Sequence, residues 1–226
     1  LGTYSAGSKV GDCQYSDITV FSFHPVKTVT TGEGGVATTR SQALAQRMEL
    51  LRTHGITRDE EQFQQVIDGA WHYEQIVLGF NYRMTDIAAA LGVSQLDRLS
   101  EFINRRAELA DLYCRLLRDS ELPVQMQKVD DSARVSRHLF IIRLDFSKLS
   151  QHKNDVVARL LNDGVTTTVH YRPIYLQPYY HQLGFPEGYA AEAEKYYAQA
   201  LSLPLYPALK DSDVQRVVSA LVSAVR

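Results

Sequence analysis

Ser22-Phe23-His24-Pro25-Val26-Lys27-Thr28-Val29-Thr30-Thr31-Gly32-Glu33-Gly34-Gly35 is the stretch that decides the fold. Residues 18–23 alternate and are rich in β-branched and aromatic side chains, which predicts a strand. His24-Pro25 ends it, because proline restricts its neighbour and has no N–H for a ladder. Residues 28–39 predict two short extended arms around a glycine turn at Gly32-Glu33-Gly34-Gly35. That glycine run is neither a Walker loop nor a GxGxxG fingerprint, so it reads as a hairpin turn. Lys27 stands just past the strand. A lysine so placed can have its pKa lowered enough to act as a nucleophile and form a Schiff base; spacing alone favours an ordinary loop lysine. Ser22 shares a strand face with Ile18 and Val20. A hydroxyl on an apolar face needs a partner, either a phosphate oxygen or a backbone group of the sheet.

Working outward, Ser41 predicts the cap of a helix to about His54, with Gly55 as its stop. Residues 56–80 read as a long irregular connection, a length that is uncommon unless functional. Thr85 predicts the cap of a helix whose Ile87-Ala88-Ala89-Ala90-Leu91-Gly92 is rich in small residues, which implies close approach and burial. A more polar helix follows over 100–118, and the domain boundary is expected near its start, giving domains 1–97 and 98–226. Beyond Pro123 the pattern is α+β. Strands are expected over 138–144 and 165–170, and helices over 154–163, 189–201 and 212–225.

Other words of the sequence join the opening stretch: Leu51-Arg52-Thr53-His54-Gly55, Gly79-Phe80-Asn81-Tyr82-Arg83-Met84-Thr85-Asp86, Val169-His170-Tyr171-Arg172-Pro173 and Ser202-Leu203-Pro204-Leu205-Tyr206-Pro207. In this order they resemble the sugar aminotransferases of the DegT/DnrJ/StrS family along nearly the whole chain. The resemblance implies an α/β chain, the C-terminal part of the type I pyridoxal-phosphate (PLP) dependent transferase fold. Residues 1–97 would be the end of the large PLP-binding domain, and residues 98–226 the small α+β domain. It also implies that Lys27 carries pyridoxal 5′-phosphate covalently, that Ser22 contacts its phosphate, and that Asn81 reaches the phosphate of a partner subunit in a homodimer with shared sites. Asparagine before a helix cap has a bland alternative as a turn residue, and Arg83 is left between an anion and Asp86. The family places His170, Tyr171 and Tyr179 near the sugar; read without it, a His-Tyr pair at a strand end is more often packing. Within the family, Trp71-His72-Tyr73-Glu74-Gln75, Tyr175-Leu176-Gln177-Pro178-Tyr179-Tyr180 and the stretch from Ala191 to Pro207 are most similar to the branch that makes pseudaminic acid. That branch implies a UDP-linked 4-keto-6-deoxy-N-acetylamino sugar as acceptor and glutamate as donor.

The family is longer than this chain, and its pyridine-pairing aspartate belongs to a segment resembling Asp-x-x-His-x-Leu-Gly. This chain opens on Leu1-Gly2, without an initiating Met or a signal-peptide pattern, so it reads as an internal start. The rival expectation is therefore a truncated, inactive fragment that acts at most as a binding or scaffold domain. A sugar dehydratase of the same family would carry histidine where Lys27 stands. A net charge of −2 gives no push toward nucleic acid or an anionic membrane, and no apolar run approaches spanning length. Two cysteines a hundred residues apart suit the cytoplasm. Seven scattered histidines make no HExxH, so no metal site is expected.

Overall fold

The computed structural model describes residues 1–5, 7–129 and 133–226. They form two compact units, one of residues 1–100 with 133–135, the other of 101–129 with 136–226.

In the first unit, β1 (Tyr4–Ser5) pairs antiparallel with β2 (Ser8–Lys9). β3 (Thr19–Ser22) pairs antiparallel with β4 (Gly35–Thr38), with Ser22 opposite Gly35. The expected hairpin over residues 28–39 does not form, because the partner of β4 lies before Lys27. Residues 23–34 are instead the loop that joins the two strands. The threonines that read as a strand spend their hydroxyls inside this loop: Thr30 Oγ1 donates to Phe23 O (3.1 Å) and Thr31 Oγ1 to Glu33 O (2.8 Å). Such side-chain bonds compete with ladder pairing. Gly32, at φ 80°, then turns the chain back.

α1 (Gln42–Arg52) is capped by Ser41, whose hydroxyl accepts from Leu44 N at 3.3 Å. β5 (Ile56–Thr57) pairs with β6 (Glu74–Gln75), closing a long loop between them. α2 (Asp86–Asp97) is capped by Thr85, which accepts from Ala88 N at 3.2 Å. The expected burial of α2 fails over most of its length. Gly92 alone of the helix is buried, close to Thr31, while Ile87 is 86% exposed. Small residues permit close approach, and here the approach is made at one glycine.

The second unit holds most of α3 (Leu99–Asp119) and a three-stranded antiparallel sheet. Its strands are β7 (Val124–Met126), β8 (Phe140–Leu144) and a last strand that follows three helices, α4 (Lys153–Asn162), α5 (Pro178–Gln182) and α6 (Ala191–Gln199). That strand, β9 (Ala200–Leu203), lies beside β8, giving the order β7-β8-β9, and α7 (Asp211–Val225) closes the chain. Phe140, Ile142 and Leu144 alternate into a core with Leu109, Tyr113, Leu160, Leu201 and Leu221. The helix expected over 189–201 stops at Gln199, because Ala200–Leu203 pair with Phe140–Arg143 of β8. Tertiary pairing overrides the helix preference of Ala and Leu there. The strand expected over 165–170 is reduced to a single bridge, Thr168 to Ser202.

Candidate active site

Ser22 ends β3, and Lys27 lies five residues on, inside the loop. His24 links them: its N–H donates to Ser22 Oγ (3.3 Å), and its carbonyl accepts from Lys27 N (2.9 Å). The face of β3 that carries Ser22 is not the buried apolar face expected, since Val20 is 73% exposed. Ser22 Oγ accepts one N–H and keeps its own proton to donate. Lys27 is half-buried, and its Nζ has no hydrogen-bond or ion-pair partner among the described residues. Glu33, in the same loop, lies 3.8 Å from His24 Nε2 instead.

Asn81 is placed by backbone. Phe80 N donates to Leu51 O (2.8 Å), His54 N to Phe80 O (2.9 Å) and Tyr82 N to Arg52 O (3.0 Å), so residues 80–82 zip onto the end of α1. The glycines of both motif words follow from this contact. A Cβ on Gly79 would stand 2.1 Å from Gly55 N, and one on Gly55 would stand 1.9 Å from Val77 O. Only glycine lets backbones approach so closely. Arg83 donates through Nε (3.2 Å) and Nη2 (3.0 Å) to Asn81 Oδ1. That settles the amide orientation and leaves the Asn81 NH2 as the donor it can offer. Arg83 makes no ion pair with Asp86; its other contact is His54 Nε2 at 3.4 Å. A cleft of about 1050 Å³ opens beside β4, lined by Gly34, Val36, Arg52, Arg83 and Met84 among others. Ser22, Lys27 and Asn81 do not line it.

The remaining candidates lie in the second unit. His170 Nδ1 is 2.7 Å from Ser202 Oγ, and the His170 ring meets Tyr171 edge-on at 4.5 Å. Tyr171 and Tyr179 are exposed, and Tyr179 packs edge-on against Tyr180 at 5.3 Å. The segment between them and α6 is tied by Glu194, whose Oε1 accepts from Tyr175 OH (2.7 Å) and Gly188 N (2.6 Å). Sequence reading missed Glu194 and Ser202 as partners. Both were visible only as members of the resembling stretch from Ala191 to Pro207.

The sequence profile of the DegT/DnrJ/EryC1/StrS aminotransferase family matches residues 1–222. The chain belongs to that family. Among its relatives, the UDP-4-amino-4,6-dideoxy-N-acetyl-beta-L-altrosamine transaminase of Campylobacter jejuni is 33% identical over 99% of this chain and 56% of its own length. A Streptococcus pneumoniae protein assigned as a sugar aminotransferase, solved in its PLP form, is 28% identical with a TM-score of 0.87. The match covers all of this chain and 55% of that one. Helicobacter pylori PseC, an aminotransferase of pseudaminic acid biosynthesis, is 29% identical with a TM-score of 0.84, over all of this chain and 57% of that one. The chain spans between 54% and 58% of the length of four curated relatives that it matches. This DegT/DnrJ/EryC1/StrS chain thus carries about half of the type I PLP-dependent transferase fold, and pyridoxal phosphate is the cofactor that goes with the membership. Its residues fit that group. Lys27 is an amine with no acidic partner, and Ser22 and Asn81 keep O–H and N–H donors for a phosphate. Among the described residues no helix is long and apolar enough to cross a membrane, and no cluster of His, Cys, Asp or Glu could hold a metal.

Proposed function

We propose that the protein encoded by the complete reading frame is a cytoplasmic PLP-dependent aminotransferase. It moves an amino group from glutamate to a UDP-linked 4-keto-6-deoxy-N-acetylamino sugar, on a route of the pseudaminic acid type. The observation that carries this reading is the half-buried, unpaired Lys27 amine just past Ser22, in a chain of this family. Residues 1–97 would close the large cofactor-binding domain and residues 98–226 form the small one. Lys27 would hold the cofactor, with Ser22 and the partner subunit's copy of Asn81 on its phosphate, in a homodimer with shared sites. When bound, the cofactor supplies an electron sink for the carbon that loses or gains the amino group. Lys27, displaced as a free amine, takes a proton from the donor carbon in one half-reaction and gives one to C4 of the sugar in the other. His170 would hydrogen-bond the sugar hydroxyls, and Tyr171 and Tyr179 would cover the ring with their apolar faces.

A second reading is favoured by length, since the chain spans little more than half of its relatives: alone, it binds at most and does not turn over. The test uses both proteins. Lys27→Ala in the product of the complete reading frame should abolish transamination, and so should Lys27→Arg, because a guanidinium stays protonated. Borohydride treatment of the PLP-loaded wild type should tag the peptide holding Lys27. Wild-type turnover in Lys27→Ala would sink the assignment. Tight PLP binding with turnover by residues 1–226 alone would overturn the second reading.

A further inference from the structure

Ser202 sits in the middle of β9 and is 4% exposed. Its backbone needs nothing from its side chain. Its N–H donates to Thr168 O (2.8 Å), its carbonyl accepts from Thr168 N (3.4 Å), and its other flank faces Ile141 of β8. The hydroxyl is therefore available, and it lies 2.7 Å from Nδ1 of His170, two residues beyond the bridge. The strand end is fixed as well. Arg106 Nη1 donates to Leu205 O (2.7 Å), and Tyr113 OH donates to Pro204 O (3.0 Å).

We infer that Ser202 is a positioning residue that sets the ring rotation of His170 toward the keto-sugar. The inference rests on the reading of His170 as a sugar contact. The hydroxyl can donate to Nδ1 or accept from it, so the contact holds the nitrogen edge of the ring toward Ser202 in either tautomer. A half-turn of the ring would put a carbon where Nδ1 stands and leave the Ser202 hydroxyl buried without its partner, a costly outcome. The serine thereby turns a two-faced group into one with a defined face, which is what recognition of one sugar hydroxyl needs.

The test uses the product of the complete reading frame, with the two half-reactions measured separately. Ser202→Ala should raise the KM for a UDP-4-keto-6-deoxy-N-acetylamino sugar by roughly three- to tenfold, the factor set by the net worth of one hydrogen bond. The glutamate half-reaction should keep its rate, whereas general damage to the fold would slow both. Ser202→Thr, which keeps the hydroxyl, should restore most of the loss. In the His170→Ala background, Ser202→Ala should add nothing, because the two act as one unit. An additive double variant, or an unchanged keto-sugar KM in Ser202→Ala while His170→Ala raises it, would overturn the inference and leave the sugar-contact reading standing. An unchanged KM in His170→Ala would instead remove that reading, and the inference with it.

Discussion

Removing the hydroxyl of Tyr113 should weaken the second unit without disturbing its packing. The ring is fully buried, lies 4.7 Å from Phe140 at 21°, and its hydroxyl donates to Pro204 O at 3.0 Å. Tyr113→Phe deletes one atom and one bond. The net worth of such a bond is about 0.5–1.5 kcal/mol, and Pro204 is only partly buried, so the expected loss stays in that range. Tyr113→Ala also removes the ring from the core and should cost about 3–5 kcal/mol. Urea unfolding of the chain followed by circular dichroism reads both, with midpoints compared at constant slope. The wild type should also be alkali-sensitive for a specific reason. Burial raises the Tyr113 phenol well above its ordinary value near 10. A group with a raised folded pKa stabilises fully below its unfolded pKa, and that contribution is lost as pH rises through the folded value. The stability gap between wild type and Tyr113→Phe should therefore be constant below about pH 10 and narrow above it. A Phe variant as stable as wild type to within about 0.3 kcal/mol, or an Ala variant losing less than about 2 kcal/mol, would refute the placement of this side chain.

Two further outcomes are expected. If Asn81 serves the partner's phosphate, mixing Lys27→Ala with Asn81→Ala subunits of the complete protein should restore activity that neither has alone, since one of the two mixed sites is intact; no recovery would remove Asn81 from that role. The Glu74 carboxylate accepts from Gln64 N (2.7 Å), Gln65 N (2.9 Å) and His72 Nε2 (3.2 Å), and these bonds, the Gln64 amide first, hold its carboxyl below the usual range. Its contribution is present above the ordinary glutamate value of about 4.3 and lost as pH falls through the lower folded value. Hydrogen-exchange protection at Gln64 and Gln65 should drop in that window and already be reduced at neutral pH in Glu74→Gln; undiminished protection in the variant would count against this ordering of the loop.

Features that depend on near neighbours were readable from the sequence. Ser41 and Thr85 announce their helices because a cap is a contact between residues three apart. α7 is read from Val214, Val217, Val218, Leu221 and Val225, which fall on one helical stripe and are buried as such. The fold class was legible through motif words. Two of those words, around Gly55 and Gly79, exist because two backbones touch. Features set by distant partners were hidden. β4 finds β3 across the Lys27 loop, so the threonines of that loop mimic a strand. β9 looks like the tail of α6 until β8 claims it. At the candidate site the sequence offered residue types but not their partners: that Arg83 turns to Asn81 rather than Asp86, and that Ser202 meets His170 from 32 residues away, are facts of the folded chain.

Glu194 gives the tyrosine-rich segment a division of labour. Its carboxylate joins Tyr175 and Gly188 to the first turn of α6, which ties the segment at both ends. On the proposed function, a sugar settling there would pay less entropy to order that loop. The side chains of Tyr171 and Tyr179 take no part in those bonds and are 70% and 67% exposed. A change at either alters what a visitor meets and leaves the scaffold intact; a change at Glu194 does the opposite. If this surface meets the sugar as proposed, its specificity is set by side chains that stand apart from the bonds holding the segment.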